Sequence, residues 1–369
     1  MRVGVVADLH IGNHQLFKNR SVAGINSRCA AAIQTLRVMY ALAAEQGVET
    51  LYIAGDVFDT SSPSPQIVAA VMDVIAEAAP RIETVILKGN HDSNSPNPGD
   101  HALGPLAHVC SIATDPIVVA QGRILLLPFR PHPTEWLRDM FDSSIKPGMI
   151  VLSHFGIADA GTPLYMKHGG VPIELVHEIC EEYRIGAWLS GDWHSHKRFP
   201  APRRSLLSGA DATCSIQQIG ALCPTGFDNP GGDALYGSLL VVQAEMGLEP
   251  WVGVERVVVP GPRFYYSPDE PGFSPLTFIK LRVAQAYRED EMKAAVEAGE
   301  LGGYVLALDT ETGEAATGAK VADEFADAEV SGIDEALDAY VDKMPGLDPN
   351  TRSAVKDLCR GYLQKQNTH

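Results

Sequence analysis

Thr84-Val85-Ile86-Leu87 runs into Lys88-Gly89-Asn90-His91-Asp92, an apolar stretch that stops on a cluster of metal- and proton-binding side chains. Such a run suits a strand buried on both faces, and Gly89 marks a turn straight after it. The same arrangement recurs through the first two hundred residues. Residues 3–7 lead to Asp8-Leu9-His10, and residues 50–54 to Gly55-Asp56-Val57-Phe58-Asp59. Residues 149–152 lead to Ser153-His154, and residues 187–190 to Gly191-Asp192-Trp193-His194-Ser195-His196. A sixth run, 124–128, leads instead into Phe129-Arg130. Between the first three runs, residues 27–46 and 65–79 carry apolar side chains at helical spacing. Continuous apolar strands alternating with helices predict an α/β fold in layers, its sheet covered on both faces.

In open α/β sheets, sites form beyond the carboxyl ends of the strands. Five of these six ends carry donors suited to a metal. Asp8 and His10 flank one residue, so both can turn to one pocket. Asp56 is the natural bridging carboxylate, and Gly55 before it lets backbone approach closely. Asn90 offers a neutral amide oxygen, which suits a metal accepting mixed oxygen and nitrogen donors, such as manganese. His154 and the last histidines complete the set. Two divalent ions about 3.5–4 Å apart lower the pKa of a shared water and clamp a phosphoryl displacement. His91 is placed to stabilise the transition state and protonate the leaving oxygen. Asp59, three residues after Asp56, is expected to orient that imidazole.

Composition sets the surroundings. The chain has 369 residues, 45% apolar and 20% charged, which suits a globular protein with a large domain and a smaller one. No run approaches the roughly 20 apolar residues that span a bilayer, so no membrane association is expected. Met1-Arg2 leads directly into the first strand, and no cleavable leader is expected. The six cysteines, Cys29, Cys110, Cys180, Cys214, Cys223 and Cys359, form no CxxC pair. Reduced, buried thiols in a cytoplasmic protein are the expectation. The formal net charge of −17 counts against a protein that coats DNA through lysine and arginine. It leaves room for a nuclease, whose bound cations supply the local positive charge.

Beyond residue 206 the texture changes. Residues 235–242 and 251–259 read as strands closing the first domain, and 260–275 as a Pro/Gly linker. A strand (276–283), a helix (290–298) and a strand (304–308) then make a β-α-β unit. Helical stretches at 333–343 and 349–364 end the chain. The boundaries expected are 1–260, 274–325 and 332–366. Lys197, Arg198, Arg203 and Arg204 form a short basic run that reads either as a solvated loop or as a contact for a nucleic-acid backbone.

Taken together, D-x-H, G-D-x-x-D, G-N-H-D and a lone His resemble the calcineurin-like metallophosphoesterases. Within them, Asp8-Leu9-His10-Ile11-Gly12, Gly55-Asp56-Val57-Phe58-Asp59-Thr60, Gly89-Asn90-His91-Asp92-Ser93 and His154-Phe155-Gly156 are similar to motifs of the SbcD family of repair nucleases and their phage relatives. The resemblance covers about residues 1–200. It implies a layered metallophosphoesterase sandwich, central β-sheets flanked by helices, with a small β-α-β capping domain that touches DNA and C-terminal helices. It also implies Mn2+-dependent DNA exonuclease and endonuclease activity in repair or recombination. Its implied partners are DNA, an SbcC-like coiled-coil ATPase docked on the C-terminal helices, and a second copy packed through helices 27–46 and 65–79. The implied ligands are Asp8, His10, Asp56, Asn90, His154 and His194. The family's G-H-x-H stands here as Gly191-Asp192-Trp193-His194. Either Asp192 replaces the first histidine, or a longer loop makes His194 and His196 the pair. Protein phosphatases of the superfamily follow G-D-x-x-D with arginine. Thr60 here implies phosphodiester cleavage. A stand-alone phosphodiesterase or phosphatase acting on a nucleotide or other small ester is the alternative. A scaffold with a degenerate metal site, supported by Asp192 alone, is a third.

Overall fold

The computed structural model describes residues 1–14, 21–95, 97, 99–167, 169–201, 214–224, 236–245, 251–265, 277–282, 304–309, 353 and 356. Strand β1 (Arg2–Val6), the short pair β2 (Ser21–Val22) and β3 (Ile25–Asn26), and helix α1 (Ser27–Glu45) come first. Next are β4 (Thr50–Ala54), α2 (Pro65–Ala78), β5 (Glu83–Leu87), β6 (Ser111–Ala113), β7 (Ile117–Val119) and β8 (Ile124–Leu127). The single turn α3 (Pro133–Trp136) precedes β9 (Ile150–His154), β10 (Ile157–Ala158), α4 (Leu164–Lys167), β11 (Val171–Pro172), α5 (Ile173–Tyr183) and β12 (Ala187–Gly191). Strands β13 (Lys197–Phe199), β14 (Ser215–Gln218), β15 (Ser238–Glu245) and β16 (Trp251–Val258) follow. Each of the six expected early strands is present within two residues of its expected ends.

These strands divide between two six-stranded sheets, ordered β16-β15-β1-β4-β5-β6 and β13-β14-β12-β9-β8-β7. Strands β1, β4, β5 and β6 of the first sheet run parallel, as do β14, β12, β9 and β8 of the second, so the carboxyl ends within each set share one edge. Side-chain alternation explains why there are two sheets. On β1, Val3 and Val5 face one way and Val6 the other; β4 and β5 repeat this with Tyr52 against Ile53 and Val85 against Ile86. The first set meets Ile124, Leu126, Ile150, Leu152 and Leu189 of the second sheet, forming the core between the sheets. The opposite face of the first sheet packs on Leu36, Met39 and Tyr40 of α1 and Ile67 and Val71 of α2. The opposite face of the second packs Leu125, Val151 and Trp188 on Val176 and Ile179 of α5. Four layers result, α/β/β/α. Each buried Leu, Ile or Val contributes about 1.5–3 kcal/mol, so the edge that carries the site is rigidly backed.

Helix starts follow local chemistry. The Asn26 side chain accepts the Cys29 N–H at 3.0 Å to cap α1, and Pro65 opens α2 at the position where its missing N–H costs nothing. The expected closing strands are β15 and β16, an antiparallel pair added to β1.

Further along, β17 (Arg263–Tyr265), β18 (Thr277–Arg282) and β19 (Tyr304–Asp309) form a three-stranded parallel sheet. Parallel pairing of β18 with β19 requires a crossover, and the intervening helix expected at 290–298 lies outside the described residues. The chain forms two compact units, Met1–Thr310 and Glu311–His369. In the second, Ser353 and Lys356 are described and are helical; the rest of the expected helices at 333–343 and 349–364, with Cys359, lies outside the described residues. Arg203 and Arg204 lie outside them too. Cys29, Cys110, Cys180 and Cys214 are free thiols. No helix among the described residues is long and apolar enough to cross a membrane.

Candidate metal centre

The carboxyl ends of β1, β4 and β5 meet those of β9 and β12. His154 Nδ1 lies 2.7 Å from the Ala54 carbonyl, joining the end of β9 to the end of β4. The Asp192 N–H donates to Asp8 Oδ1 at 2.9 Å, joining β12 to β1. Within the first sheet, the Leu9 and His10 N–H groups both donate to the Asp56 carbonyl, at 2.8 and 3.0 Å. These bonds hold an unusual backbone. Asp8, His10, Asp56 and Asp192 all have positive φ, at 53°, 43°, 53° and 80°. A left-handed non-glycine residue costs about 1–3 kcal/mol, and such outliers gather at functional sites. Four of them converge here.

Two glycines make room. Gly55 has φ +93°, and a Cβ there would fall 2.0 Å from His154 Nδ1. A Cβ at Gly89 would fall 2.0 Å from Asp56 Oδ1. Neither position can carry a side chain while the donors stay in place.

Three groups of side chains could each hold a metal ion: Asp8, His10 and His194; His10, Asp56 and His91; Asp8, Asp56 and His154. Asp8, His10 and Asp56 each belong to two groups. Carboxylates shared between neighbouring groups are what a dinuclear site needs in order to bridge two ions. Hydrogen bonds set the ring tautomers. Because the Ala54 carbonyl only accepts, His154 Nδ1 carries a proton, and Nε2 faces Asn90 Oδ1 at 2.8 Å and Asp56 Oδ1 at 3.4 Å. His91 Nδ1 is 2.8 Å from the Asp59 carbonyl, which leaves Nε2 of this exposed ring for proton transfer. The His91 and His10 rings stand edge to face, 4.7 Å apart.

The electrostatics call for cations. Burial, with the neighbouring charge of Asp56, raises the Asp8 carboxyl well above its ordinary value, and burial raises Asp192 likewise. Burial acts against charge on His154 too, yet Asp56, Asp8 and Asp192 together hold its imidazole well above the usual range. Burial keeps His10 neutral, its pKa pulled down to about 3. Asp8 Oδ2 and His10 Nε2 are buried with no hydrogen-bond partner among the described residues. Each such atom costs about 1–3 kcal/mol if nothing pairs with it. A divalent cation touching both removes that cost and answers the crowding of the carboxylates, so these residues fit the metal.

The structure brings Asp8, His10, Asp56, Asn90, His91, His154 and His194 to one place. Asp59 behaves differently from expectation. Its main-chain carbonyl, not its carboxylate, meets His91. The carboxylate faces His10 Nδ1 at 3.8 Å and His14 Nδ1 at 3.4 Å. Asp192 adjoins the cluster but belongs to none of the three groups; its Oδ2 accepts the Gly156 N–H at 2.9 Å. His196 is also outside them, with Nδ1 3.2 Å from the Ile219 carbonyl.

Three residues missed in sequence support the site. His14 Nε2 donates to the His10 carbonyl at 3.1 Å; its closeness to D-x-H was the available signal. Asp92 is wholly buried and accepts from Phe58 N and Gly89 N, at 3.1 and 3.0 Å, so it ties two metal loops together. Burial, then the charge of Asp56, pushes its pKa up to about 6. Gln218 donates to the Ser190 carbonyl and to that of Gly191, and accepts from Ile157 N, clamping the end of β12. Nothing in the sequence singles it out.

A four-layer α/β/β/α sandwich with Asp/His/Asn donors at facing strand ends is the arrangement of a metallophosphoesterase domain. The chain belongs to the calcineurin-like phosphoesterase family, whose model matches residues 1–196. That family binds divalent metals at such a centre. Solved structures to which the chain is similar include a purple acid phosphatase from yellow lupin (Lupinus luteus) seeds, 12% identical, covering 66% of this chain and 49% of its own, TM-score 0.42. A Staphylococcus aureus protein described as a 5′-nucleotidase is 13% identical, covering 70% and 54%, TM-score 0.41. Nuclease MPE from Pseudomonas putida is 17% identical, covering 69% and 86%, TM-score 0.27. The chain spans about half the length of the first two. No protein of curated function matches it.

Proposed function

We propose that the protein is a DNA nuclease that cleaves phosphodiesters, with Asp8, His10, Asp56, Asn90, His154 and His194 as ligands of two ions, Mn2+ by preference. The observation that carries the mechanism is His91: anchored through Nδ1 to the Asp59 carbonyl, it presents Nε2 beside the cluster from an exposed position. Divalent cations bound there would polarise the phosphate oxygens and lower the pKa of a water. His91 then hands a proton to the leaving oxygen, and the His91 N–H to Asp56 Oδ1, at 2.9 Å, fixes the loop that carries it. His10 stays neutral and so keeps its lone pair for a metal. Asp192 supports the Asp8 ligand through its N–H, and either it or His196 would complete the donor set.

Cleavage of a diester fits Thr60, an exposed residue where the superfamily's protein phosphatases place arginine. The similarity of the four motifs to the SbcD family favours DNA in repair or recombination, in the cytoplasm and alongside an SbcC-like ATPase. On this reading residues 1–260 are the nuclease domain, 274–325 a DNA-contacting cap, and 332–366 the segment that docks the ATPase. A homodimer through α1 and α2 belongs to the same reading. The test is Mn2+-dependent degradation of an end-labelled linear duplex by the purified chain. Degradation that vanishes in His91→Ala is the expected result. Intact duplex beside rapid turnover of small phosphodiesters would move the assignment to a nucleotide or small-ester hydrolase.

A further inference from the structure

Among the six early strands, β8 alone ends without a metal-type side chain, yet its exit adjoins the cluster. The side chains of Asn90, after β5, and His154, ending β9, meet at 2.8 Å. One strand further along the same edge lie β6 in the first sheet and β8 in the second. Their exits also meet: Arg130 Nη2 donates to Asp115 Oδ1 at 2.7 Å. The Phe129 N–H donates to the Lys88 carbonyl at 2.9 Å, tying the Arg130 loop to the strand that delivers Asn90 and His91. The Phe129 ring stands edge-on to His154, with centroids 6.5 Å apart.

Arg130 is held on two sides. Asp115 takes one edge of its guanidinium, and its Cζ sits 5.8 Å from the centre of the Trp136 ring, whose Nε1 donates to Pro131 O. Its side chain remains 34% exposed. A guanidinium has five N–H donors in a fixed fork, and Asp115 is its sole carboxylate partner among the described residues. Lys88, whose carbonyl holds the loop, is itself buried. A braced, partly exposed guanidinium therefore stands on the loop tied to the strand that delivers Asn90 and His91, in a chain whose net charge is −17.

We propose that Arg130, braced by Asp115 and Trp136, contacts the phosphate adjacent to the scissile one in a polynucleotide chain. This rests on the reading of the metal centre as a phosphodiester-cleaving site. An exposed ion pair kept only for stability is worth little, and its loss would leave ligand binding untouched. The two views therefore part on binding.

The experiment measures anisotropy of a fluorescein-labelled single-stranded oligothymidylate with His91→Ala protein in Mn2+, across a salt series. Adding Arg130→Gln is expected to weaken binding about tenfold and to reduce the salt slope by about 0.7, the share of one phosphate contact. Arg130→Lys keeps the charge and so keeps the slope, with a smaller loss of affinity; it also guards against a folding defect in the glutamine variant. Equal affinity and slope in the parent and Arg130→Gln would overturn the proposal, as would a parent that binds no oligonucleotide. Turnover by the wild type judges the metal-centre reading separately, since the anisotropy needs no cleavage.

Discussion

Replacing Gly55 by alanine tests the site's construction most severely. The new Cβ would lie 2.0 Å from His154 Nδ1 and 2.5 Å from its Cγ, where real contacts stay beyond 3.0 Å. The imidazole must therefore retreat by about 1 Å. It cannot do so freely, because Nδ1 is bonded to the Ala54 carbonyl and the Gly191 backbone also closes on it. A misplacement of about 1 Å at a reacting centre costs about 100-fold in rate, or about 2.7 kcal/mol. The left-handed φ of +93° adds about 1–2 kcal/mol of lost stability, and the lost hydrogen bond about 1 kcal/mol. Gly47→Ala is the control, with φ +68° and nothing within 4 Å of its Cβ. The measurements are kcat/KM on bis-p-nitrophenyl phosphate at saturating Mn2+ and the urea midpoint. Gly55→Ala should lose about 100-fold in activity and about 2–3 kcal/mol in stability, whereas Gly47→Ala should lose stability alone. If Gly55→Ala matched Gly47→Ala in activity, His154 would have no place at the centre.

Other outcomes follow from particular residues. Asp59→Asn leaves the carbonyl that anchors His91, so kcat should fall by less than about tenfold; a loss as large as that of His91→Ala would return the orienting role to the carboxylate. His10 has a folded pKa of about 3, below its unfolded value of about 6.5. The unfolded chain therefore takes up the proton first, and apo-protein stability should fall as pH drops from about 6.5 towards 3, with a shallower slope in His10→Asn. A urea midpoint in which that variant and wild type share one pH profile would refute this. Burial pushes the Cys29 thiol up to about 12, so iodoacetamide at pH 8 should spare it in native protein and modify it in urea, as read by peptide mass spectrometry. Rapid native labelling of Cys29 would contradict its place on the buried face of α1.

Much of the fold is visible in the sequence because it rests on local pattern. Runs such as Thr84–Leu87 and Thr50–Ala54 are strands on their own evidence, and Gly after each run fixes where the donors begin. The split into two sheets is not visible in any one run, since it depends on which neighbours the alternate side chains of β1 and β9 meet. The candidate donors can be picked out for the same reason as the strands, since each lies at a strand's end or within five residues of it. How Asp59 meets His91 is not legible, because a carboxylate three residues after Asp56 suggests a side-chain contact, whereas the backbone turn brings its carbonyl to the ring. Asp92 and Gln218 act through buried contacts with residues distant in sequence. The pairing of Arg130 with Asp115 is equally invisible in sequence, since the two follow strands of different sheets.

One measurement bears most directly on the central claim: bound metal and phosphodiesterase turnover determined on the same preparations of wild type and His91→Ala. Two divalent ions per chain in both proteins, with bis-p-nitrophenyl phosphate hydrolysed by the wild type alone, is the predicted result. Loss of metal from His91→Ala would make His91 a ligand instead of the proton donor, and a fully metallated wild type that hydrolyses no phosphodiester would contradict the account outright.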